Sequence, residues 1–149
     1  MKREPIEYLL KSKSMQSVLS ISPDDSVYQA VARMAEYGIG ALLVMERDVL
    51  VGILSERDYA RKVVLKGRSS METAVREIMT SPVVTVSPAE TVEACMALMT
   101  ERKFRHLPVV DGHQVVGIVS IGDLVKWIIT GQERTIHQLE NYISGTYPG

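Results

Sequence analysis

Two serines are each followed, three residues later, by an aspartate, and each serine ends an apolar run that begins with glycine. The pairs are Ser55 with Asp58 and Ser120 with Asp123. The pattern predicts a strand leading into a helix, whose first backbone N–H groups and dipole suit phosphate. An ionised carboxylate only accepts hydrogen bonds, so it suits a ligand with neighbouring hydroxyl groups. Each pair therefore indicates a candidate binding site, with an acid stabilised by the helix dipole as the simpler alternative.

A cluster of basic side chains contains Arg102, Lys103, Arg105 and His106. The guanidinium group of arginine is a planar fork of donors that fits phosphate. We therefore expect the cluster to bind an anionic group. A solvated surface patch is the alternative for the arginines and lysine, and a structural role is the alternative for His106. Arg57, between the first serine and its aspartate, is a further candidate for phosphate.

These features belong to an internal repeat with a period of 65 residues. Residues 22–64 and 87–129 align without a gap and share 13 identities in 43 positions. Each copy shows an alternating strand, a helix with one apolar face, two apolar runs joined by a turn, and a second helix. This order of strand, helix, strand, strand, helix predicts an α+β fold built from two copies that pack on each other.

The basic cluster and the glycines of the first copy occupy equivalent positions. Gly38, Gly40 and Ala41 of the first copy align with Lys103, Arg105 and His106 of the second. Glycine permits close approach of the backbone to a ligand. We expect the backbone of Gly40 and Ala41 to line a cleft with room for the bulk of a ligand, so the two sites cannot be equivalent.

The repeat divides the chain into five predicted segments. They are a lead-in helix (1–16), the first copy (17–65), a linker with a short helix (66–81), the second copy (82–130) and a C-terminal helix with its tail (131–149). The last segment has an apolar stripe of Ile136, Leu139 and Ile143 that we expect to dock on the body or on a second subunit.

Three local features are also predicted. Ser69 and Glu72 fit a capping box before the short linker helix. Val84–Val86 alternates polar and apolar residues, which predicts the first strand of the second copy. The segment Ile6–Leu10 is expected to lead into the first copy, as the linker leads into the second.

Composition excludes several classes of protein. The 149 residues have a net charge of −1, which argues against the basic excess that nucleic-acid binding requires. The single cysteine, Cys95, excludes an internal disulfide and a cysteine-based zinc site, and its apolar helical position predicts a core residue. His106, His113 and His137 do not form a metal-binding spacing, so we expect no metal. The chain shows neither a secretory signal nor an apolar run of ~18 residues, so we expect a cytoplasmic protein.

Four segments resemble the CBS domain, a regulatory module named after cystathionine β-synthase. The strongest likeness is in Gly-Ile-Leu-Ser-Glu-Arg-Asp (52–58) and Gly-Ile-Val-Ser-Ile-Gly-Asp (117–123). Residues 104–111 and 75–80 are similar to two further motifs of the family. The resemblance covers about residues 6–129 and is closest to stand-alone proteins with a CBS pair. It implies two β-α-β-β-α units in one pseudo-two-fold module, often dimerised.

The resemblance also implies a ligand and its contacts. The family commonly binds adenosine nucleotides in clefts between its two motifs, so AMP, ADP, ATP or NAD(H) is the expected ligand, with no catalytic cofactor. The family roles transfer to Asp58, Asp123, Ser55 and Ser120 as ribose contacts and to Arg105 and His106 as phosphate contacts. The chemistry of the residues themselves adds Arg57, Arg102 and Lys103 to the expected phosphate contacts, and Gly40 and Ala41 as cleft-lining backbone.

Three functions remain open on the sequence alone. The main hypothesis is a non-catalytic, homodimeric nucleotide sensor that regulates an unidentified partner. The first alternative is a scaffold that docks on an enzyme or transporter and whose clefts are vestigial. The second is an enzyme that acts on the bound nucleotide, although no motif in the sequence requires it. We expect no membrane partner, and the net charge disfavours nucleic acid.

Overall fold

The computed structural model describes residues 4–13 and 19–131, which form a mixed helix and strand fold. Its elements, in chain order, are α1 (Ile6–Ser12), β1 (Ser20–Ile21), α2 (Val27–Tyr37), β2 (Ala41–Glu46), β3 (Val49–Ser55), α3 (Glu56–Tyr59) continued by a π-helical turn (Ala60–Val64), α4 (Val75–Ile78), α5 (Val92–Arg102), β4 (His106–Asp111), β5 (Gln114–Ser120) and α6 (121–131). The predicted C-terminal helix beyond residue 131, including Ile136, Leu139 and Ile143, lies outside the described residues.

The chain divides into two units. The first unit contains the described residues of 15–87 together with 108–117, and the second contains those of 1–14, 88–107 and 118–149. The first unit therefore contains the first copy and residues 108–117 of the second, and the second unit contains most of the second copy. The strands β4 and β5 pair with each other and contribute residues to both units.

A three-stranded sheet forms the frame of the first unit. Strand β1 runs parallel to β2, with Ile21 opposite Val44, and β2 runs antiparallel to β3, with Ala41 opposite Ser55. The hairpin turn between β2 and β3 has two residues at positive φ, as type I′ turns require. The core packs α2, α4 and the π-helical turn on the sheet, with these residues buried: Ile21, Val27, Ala30, Met34, Leu42, Val44, Leu54, Val63, Val75 and Ile78.

Glycine is required in the middle of β3 because another segment approaches it closely. A Cβ atom added at Gly52 would lie 2.5 Å from Sδ of Met79. The neighbouring residue Ile53 exchanges two backbone hydrogen bonds with Thr80, at 3.1 and 2.9 Å. The segment after α4 is thereby fixed against the strand that ends at Ser55.

The two long helices begin and end in equivalent ways. The Oγ of Ser26 accepts the N–H of Gln29 before α2, and the Oγ1 of Thr91 accepts the N–H of Ala94 before α5, both at 3.1 Å. These two side chains fix where the helices begin. Each helix is followed by a residue at positive φ, which is a glycine in the first copy and Lys103 in the second.

The second unit contains α1, α5, α6 and the ends of β4 and β5. Its buried residues are Ile6, Leu9, Val92, Cys95, Met99, Leu107, Val119 and Leu124. Cys95 is fully buried, as predicted, and burial followed by the nearby charge of Glu90 raises the pKa of its thiol to about 11. The thiol is therefore protonated at neutral pH and belongs to the core.

The lead-in segments are exchanged relative to the sequence-based prediction. The N–H of Ile6 donates to the carbonyl of Glu90 at 2.8 Å, so α1 leads into the second copy, and the prediction that it leads into the first was wrong. The N–H of Val75 donates to the carbonyl of Asp25 at 2.9 Å, so the linker helix serves the first copy. Both lead-in segments make backbone contacts, which are independent of side-chain type and so leave no sequence pattern.

Two local predictions were also wrong in part. Only Val86 of the predicted strand Val84–Val86 pairs, in a single parallel bridge with Val109, since prolines at 82 and 88 limit the run. Ser69 accepts the N–H of Glu72 at 3.3 Å, but the helix begins at Val75. The carboxylate of Glu77 caps that helix instead, by accepting the N–H of Ala74 at 2.8 Å.

The second helix of the first copy also differs from its expected form. Only four residues are α-helical before the chain widens into the π-helical turn, where the N–H of Leu65 donates to the carbonyl of Ala60. Val63 is buried, whereas the adjacent Val64 is 55% exposed. A regular helical period does not account for this widened turn.

Candidate functional site

Each serine and its aspartate form a reciprocal cap at the corner between a strand and a helix. The Oγ of Ser55 accepts the N–H of Asp58 at 3.1 Å, and Oδ2 of Asp58 accepts the N–H of Ser55 at 3.0 Å. The corresponding distances for Ser120 and Asp123 are 3.0 and 2.8 Å. The structural role considered for the aspartates is therefore present, and it also fixes each carboxylate where β3 or β5 ends.

In the first unit, two further side chains contact the carboxylate of Asp58. The hydroxyl of Thr80 donates to Oδ1 at 3.2 Å, and Nζ of Lys62 lies 3.1 Å from the same oxygen. The ammonium of Lys62 also donates to the carbonyl of Ile78 at 3.0 Å. The side chain of Asp58 is only 13% exposed, so these contacts hold it in a restricted orientation.

In the second unit, a lysine from the N-terminal segment contacts the carboxylate. Nζ of Lys13 lies 2.9 Å from Oδ2 of Asp123 and donates to the carbonyl of Ile118 at 2.8 Å. Burial raises the pKa of Asp123, but the N–H of Ser120 and the ammonium of Lys13 outweigh burial, so the pKa is lowered overall. The carboxylate is consequently ionised at neutral pH and accepts hydrogen bonds.

The glycines of the first copy border a cleft of about 500 Å³ in the first unit. This volume is within the range of small-molecule sites. Its lining includes Met34, Gly38, Ile39, Gly40, Glu56 and Tyr59. The carbonyl of Gly40 accepts the N–H of Glu56 at 3.0 Å, which fixes one wall, and Ala41 is buried at the start of β2.

The basic cluster follows α5 in the second unit. Arg102 is the last residue of the helix, and Lys103 has a φ of 59°. The carbonyl of Arg105 accepts the N–H of Ile121 at 2.9 Å, which repeats the backbone bond made by Gly40. His106 begins β4 and is half-buried, whereas Arg105 is exposed. The predicted cluster is therefore a continuous segment within the second unit.

Arg57 occupies a different unit from that cluster. It lies in α3 of the first unit, between the serine and aspartate of the first cap, and is exposed. Its counterpart in the second copy is Gly122. The first unit thus presents one arginine beside its aspartate, and the second presents its positive charges before β4.

Three residues at the carboxylates were not predicted from the sequence. Lys62 follows Asp58 by four positions, and this helical spacing was a usable indication. Thr80 belongs to the linker motif that resembles the family pattern, so its proximity could have been suspected. Lys13 lies 110 positions from Asp123, and nothing in the sequence links the two.

The described part of the chain has neither a cluster of metal-binding side chains nor a membrane-spanning helix. No group of three His, Cys, Asp or Glu side chains within residues 4–13 and 19–131 is arranged to hold a metal ion. No helix in the same ranges is long and apolar enough to cross a membrane. His137, considered above as a metal ligand, lies outside the described residues.

Comparison with known proteins identifies the family. The sequence model of the CBS domain matches residues 12–65 and again residues 75–130. The chain therefore belongs to the CBS domain family and contains a tandem pair, as the resemblance predicted. Proteins of this family are in general regulatory modules that bind adenosine ligands.

Individual relatives agree with this assignment. The mitochondrial CBS domain-containing protein CBSX3 of Arabidopsis thaliana is 40% identical over 150 residues, which cover 95% of this chain and 73% of the relative. The solved structure of a CBS-domain protein from Burkholderia ambifaria is 52% identical, with a TM-score of 0.83 over 86% of this chain and 96% of that chain. A hexameric CBS-CP12 protein from bloom-forming cyanobacteria is 29% identical, with a TM-score of 0.74 over 83% and 71% of the two chains.

Proposed function

We propose that this protein is a non-catalytic regulatory module that binds an adenosine nucleotide, with AMP, ADP, ATP or NAD(H) as the ligand. The observation that supports this most directly is the duplicated strand-to-helix corner, where each aspartate is held by its own serine. A carboxylate held in a fixed orientation can accept hydrogen bonds from the two neighbouring hydroxyls of a ribose. Membership of the CBS domain family supports the adenosine part of the ligand.

The ribose contacts are assigned to the two caps. Asp58 and Asp123 accept hydrogen bonds from the 2′- and 3′-hydroxyls, and the hydroxyls of Ser55 and Ser120 bond to ribose or phosphate. The aspartate in each cap already accepts a backbone N–H, which orients it before a ligand arrives. Such preorganisation reduces the entropy lost on binding.

The phosphate contacts differ between the units. In the first unit Arg57 is the arginine closest in sequence to the aspartate, and Gly40 lines the cleft of about 500 Å³. In the second unit the phosphate contacts are assigned to the basic cluster of Arg102, Lys103, Arg105 and His106. A more anionic ligand therefore suits the second unit, and a bulkier one suits the first.

Ligand binding regulates the protein only if the ligand has different affinities for two of its states. Such a sensor needs no catalytic step, and a test for turnover of ATP or NADH by the purified protein checks this part of the proposal. A homodimer and a cytoplasmic location complete the proposal. The oligomeric state is measured by light scattering with and without AMP.

The ribose assignment is tested by calorimetric titration of AMP into Asp58→Asn and Asp123→Asn variants. Asparagine still accepts the N–H that caps the helix, so the fold is retained while the charged acceptor is lost. Each variant should lose binding at one site, with affinity there falling about tenfold. Glu77→Gln is the matched control, because Glu77 caps α4 in the same way but is not assigned to the site. Unchanged AMP binding in both aspartate variants would refute the assignment.

A scaffold that docks on a partner protein is the second candidate. Leu65 and Met71 in the first unit are 77% and 71% exposed, so both side chains are accessible to a partner protein. The solved CBS-CP12 relative is described as hexameric, so assemblies occur among similar proteins. Truncation after Gly131 distinguishes the two functions: a scaffold that uses residues 132–149 loses its partner or its dimer and keeps nucleotide affinity.

A further inference from the structure

Each aspartate of the two caps is paired with a lysine, and the lysine comes from a different part of the chain in each unit. Lys62 follows Asp58 by four positions, with Nζ 3.1 Å from the carboxylate. Lys13 approaches Asp123 from the N-terminal segment, with Nζ at 2.9 Å. Each ammonium group also donates to a backbone carbonyl, at 3.0 and 2.8 Å respectively. The two units therefore make the same pair of contacts from unrelated positions.

The repeat explains why the second unit needs a distant lysine. The position equivalent to Lys62 in the second copy is Trp127, so the cation four positions after the aspartate is missing there. Lys13 supplies the charge instead. It follows α1 directly, and α1 is fixed by the buried side chains of Ile6 and Leu9. The ammonium group is therefore held beside Asp123 by a docked segment of the chain.

The ion pair in the second unit is better shielded on the lysine side. The side chain of Lys13 is 27% exposed and that of Lys62 is 44% exposed, whereas the carboxylates of Asp123 and Asp58 are 27% and 13% exposed. Asp58 also accepts the hydroxyl of Thr80 at 3.2 Å, and it keeps this partner when Lys62 is removed. An exposed pair at helical spacing contributes little, because water and salt screen it. Removing the lysine should therefore affect binding at Asp123 more than binding at Asp58.

A ligand that uses Asp123 must compete with the ammonium of Lys13 for this carboxylate. A neutral nucleoside directs its hydroxyls at the carboxylate and brings no new partner for the displaced cation. A nucleotide brings a phosphate, and the flexible four-carbon stem of lysine allows the ammonium to turn towards that charge. The same lysine therefore opposes one ligand and favours the other.

We propose that Lys13 determines the ligand specificity of the second unit, by disfavouring neutral ribosyl ligands at Asp123 and favouring phosphorylated ones. This inference rests on the proposed nucleotide binding. It extends that proposal by identifying a residue that acts beside the basic cluster to select for charge at one of the two sites.

The test compares adenosine with AMP at the second site alone, by calorimetric titration of the Asp58→Asn protein. The preference for AMP over adenosine should fall about fivefold or more when Lys13→Met is added, because adenosine binds more tightly and AMP more weakly. Lys13→Gln keeps a donor for the backbone carbonyl without the charge and should give the same result if the methionine variant folds poorly. Lys13→Arg retains the charge and should retain the preference.

The matched control is Lys62→Met in the Asp123→Asn protein, where the preference should change less than about twofold. An unchanged preference in both neutral Lys13 variants overturns the role of Lys13 while leaving nucleotide binding intact. Loss of all AMP binding in the Asp58→Asn protein, when the wild type binds AMP, also overturns it. If the wild-type protein binds neither compound, the proposed function fails as well.

Discussion

The two copies of the repeat share their backbone and differ in what surrounds the carboxylate. Both copies cap the strand-to-helix corner with a serine and an aspartate. In both, the first residue of the helix donates its N–H to a carbonyl that precedes the hairpin, that of Gly40 or Arg105. The first copy has Arg57 and a cleft bordered by glycine, whereas the second has Gly122 and a basic segment. Duplication has preserved the geometry that orients the aspartates and has changed the groups beside them.

The largest expected effects come from the shared cores. Leu42 and Leu107 are equivalent in the repeat, and both are fully buried. Alanine at either position should lower the free energy of unfolding by about 2–5 kcal/mol, because it leaves a cavity. Urea denaturation of both variants measures this. If the two losses differ by more than about 2 kcal/mol, the two cores are not packed equivalently.

The close approach at Gly52 predicts the next largest effect. Gly52→Ala places a methyl group against the side chain of Met79, so the neighbouring segment must shift. The free energy of unfolding should fall by about 1–3 kcal/mol, which thermal or urea unfolding detects. The double variant with Met79→Ala should recover part of the loss. A neutral Gly52→Ala substitution would show that the segment after α4 adapts freely.

Acid should remove the contribution of Asp123 to stability. The folded pKa of Asp123 is lowered, so its stabilising contribution is complete above the unfolded value, near 4, and is lost as pH falls through the folded pKa. The difference in unfolding free energy between wild type and Asp123→Asn should therefore shrink as pH falls below about 4. Lys13→Met should bring the pKa of Asp123 closer to its unfolded value. A constant difference across this pH range would contradict the ion pair.

Two glycines that differ between the copies predict small effects of opposite sign. An added Cβ at Gly122 meets only Oγ of Ser120 at 3.6 Å, so Gly122→Ala should stabilise α6 by up to about 1 kcal/mol. Gly38 has a φ of 63°, so Gly38→Ala should destabilise by about 1 kcal/mol. Melting temperatures of the two variants check the signs, and shifts in the same direction would refute this account.

The duplicated core of the fold was predictable because its information is local. Apolar periodicity located α2 and α5, and the hairpin of each copy followed from two apolar runs joined by a short polar segment. The lead-in segments were assigned to the wrong copies because they are held by backbone bonds, such as that from Ile6 to Glu90. The run Val84–Val86 had the alternation of a strand, but only one of its residues finds a partner.

The candidate site was predictable where its residues repeat. Ser55, Asp58, Ser120 and Asp123 stood out because they occur twice in register, and the structure places each pair in one cap. Thr80 and Lys62 were indicated only by an adjoining motif and by helical spacing. Lys13 was inaccessible to sequence reasoning because its contact with Asp123 depends on where α1 docks.

Nucleotide binding is the central claim, and thermal unfolding against a ligand panel tests it most directly. The panel contains AMP, ADP, ATP, NAD, NADH, S-adenosylmethionine and GTP, each at millimolar concentration. A ligand at about 100 times its Kd stabilises the folded protein by roughly 2.7 kcal/mol, which raises the melting temperature by several degrees. We predict a rise confined to adenine compounds and reduced in Asp58→Asn and Asp123→Asn. No rise with any compound would contradict the nucleotide-binding account and would leave partner docking as the function to pursue.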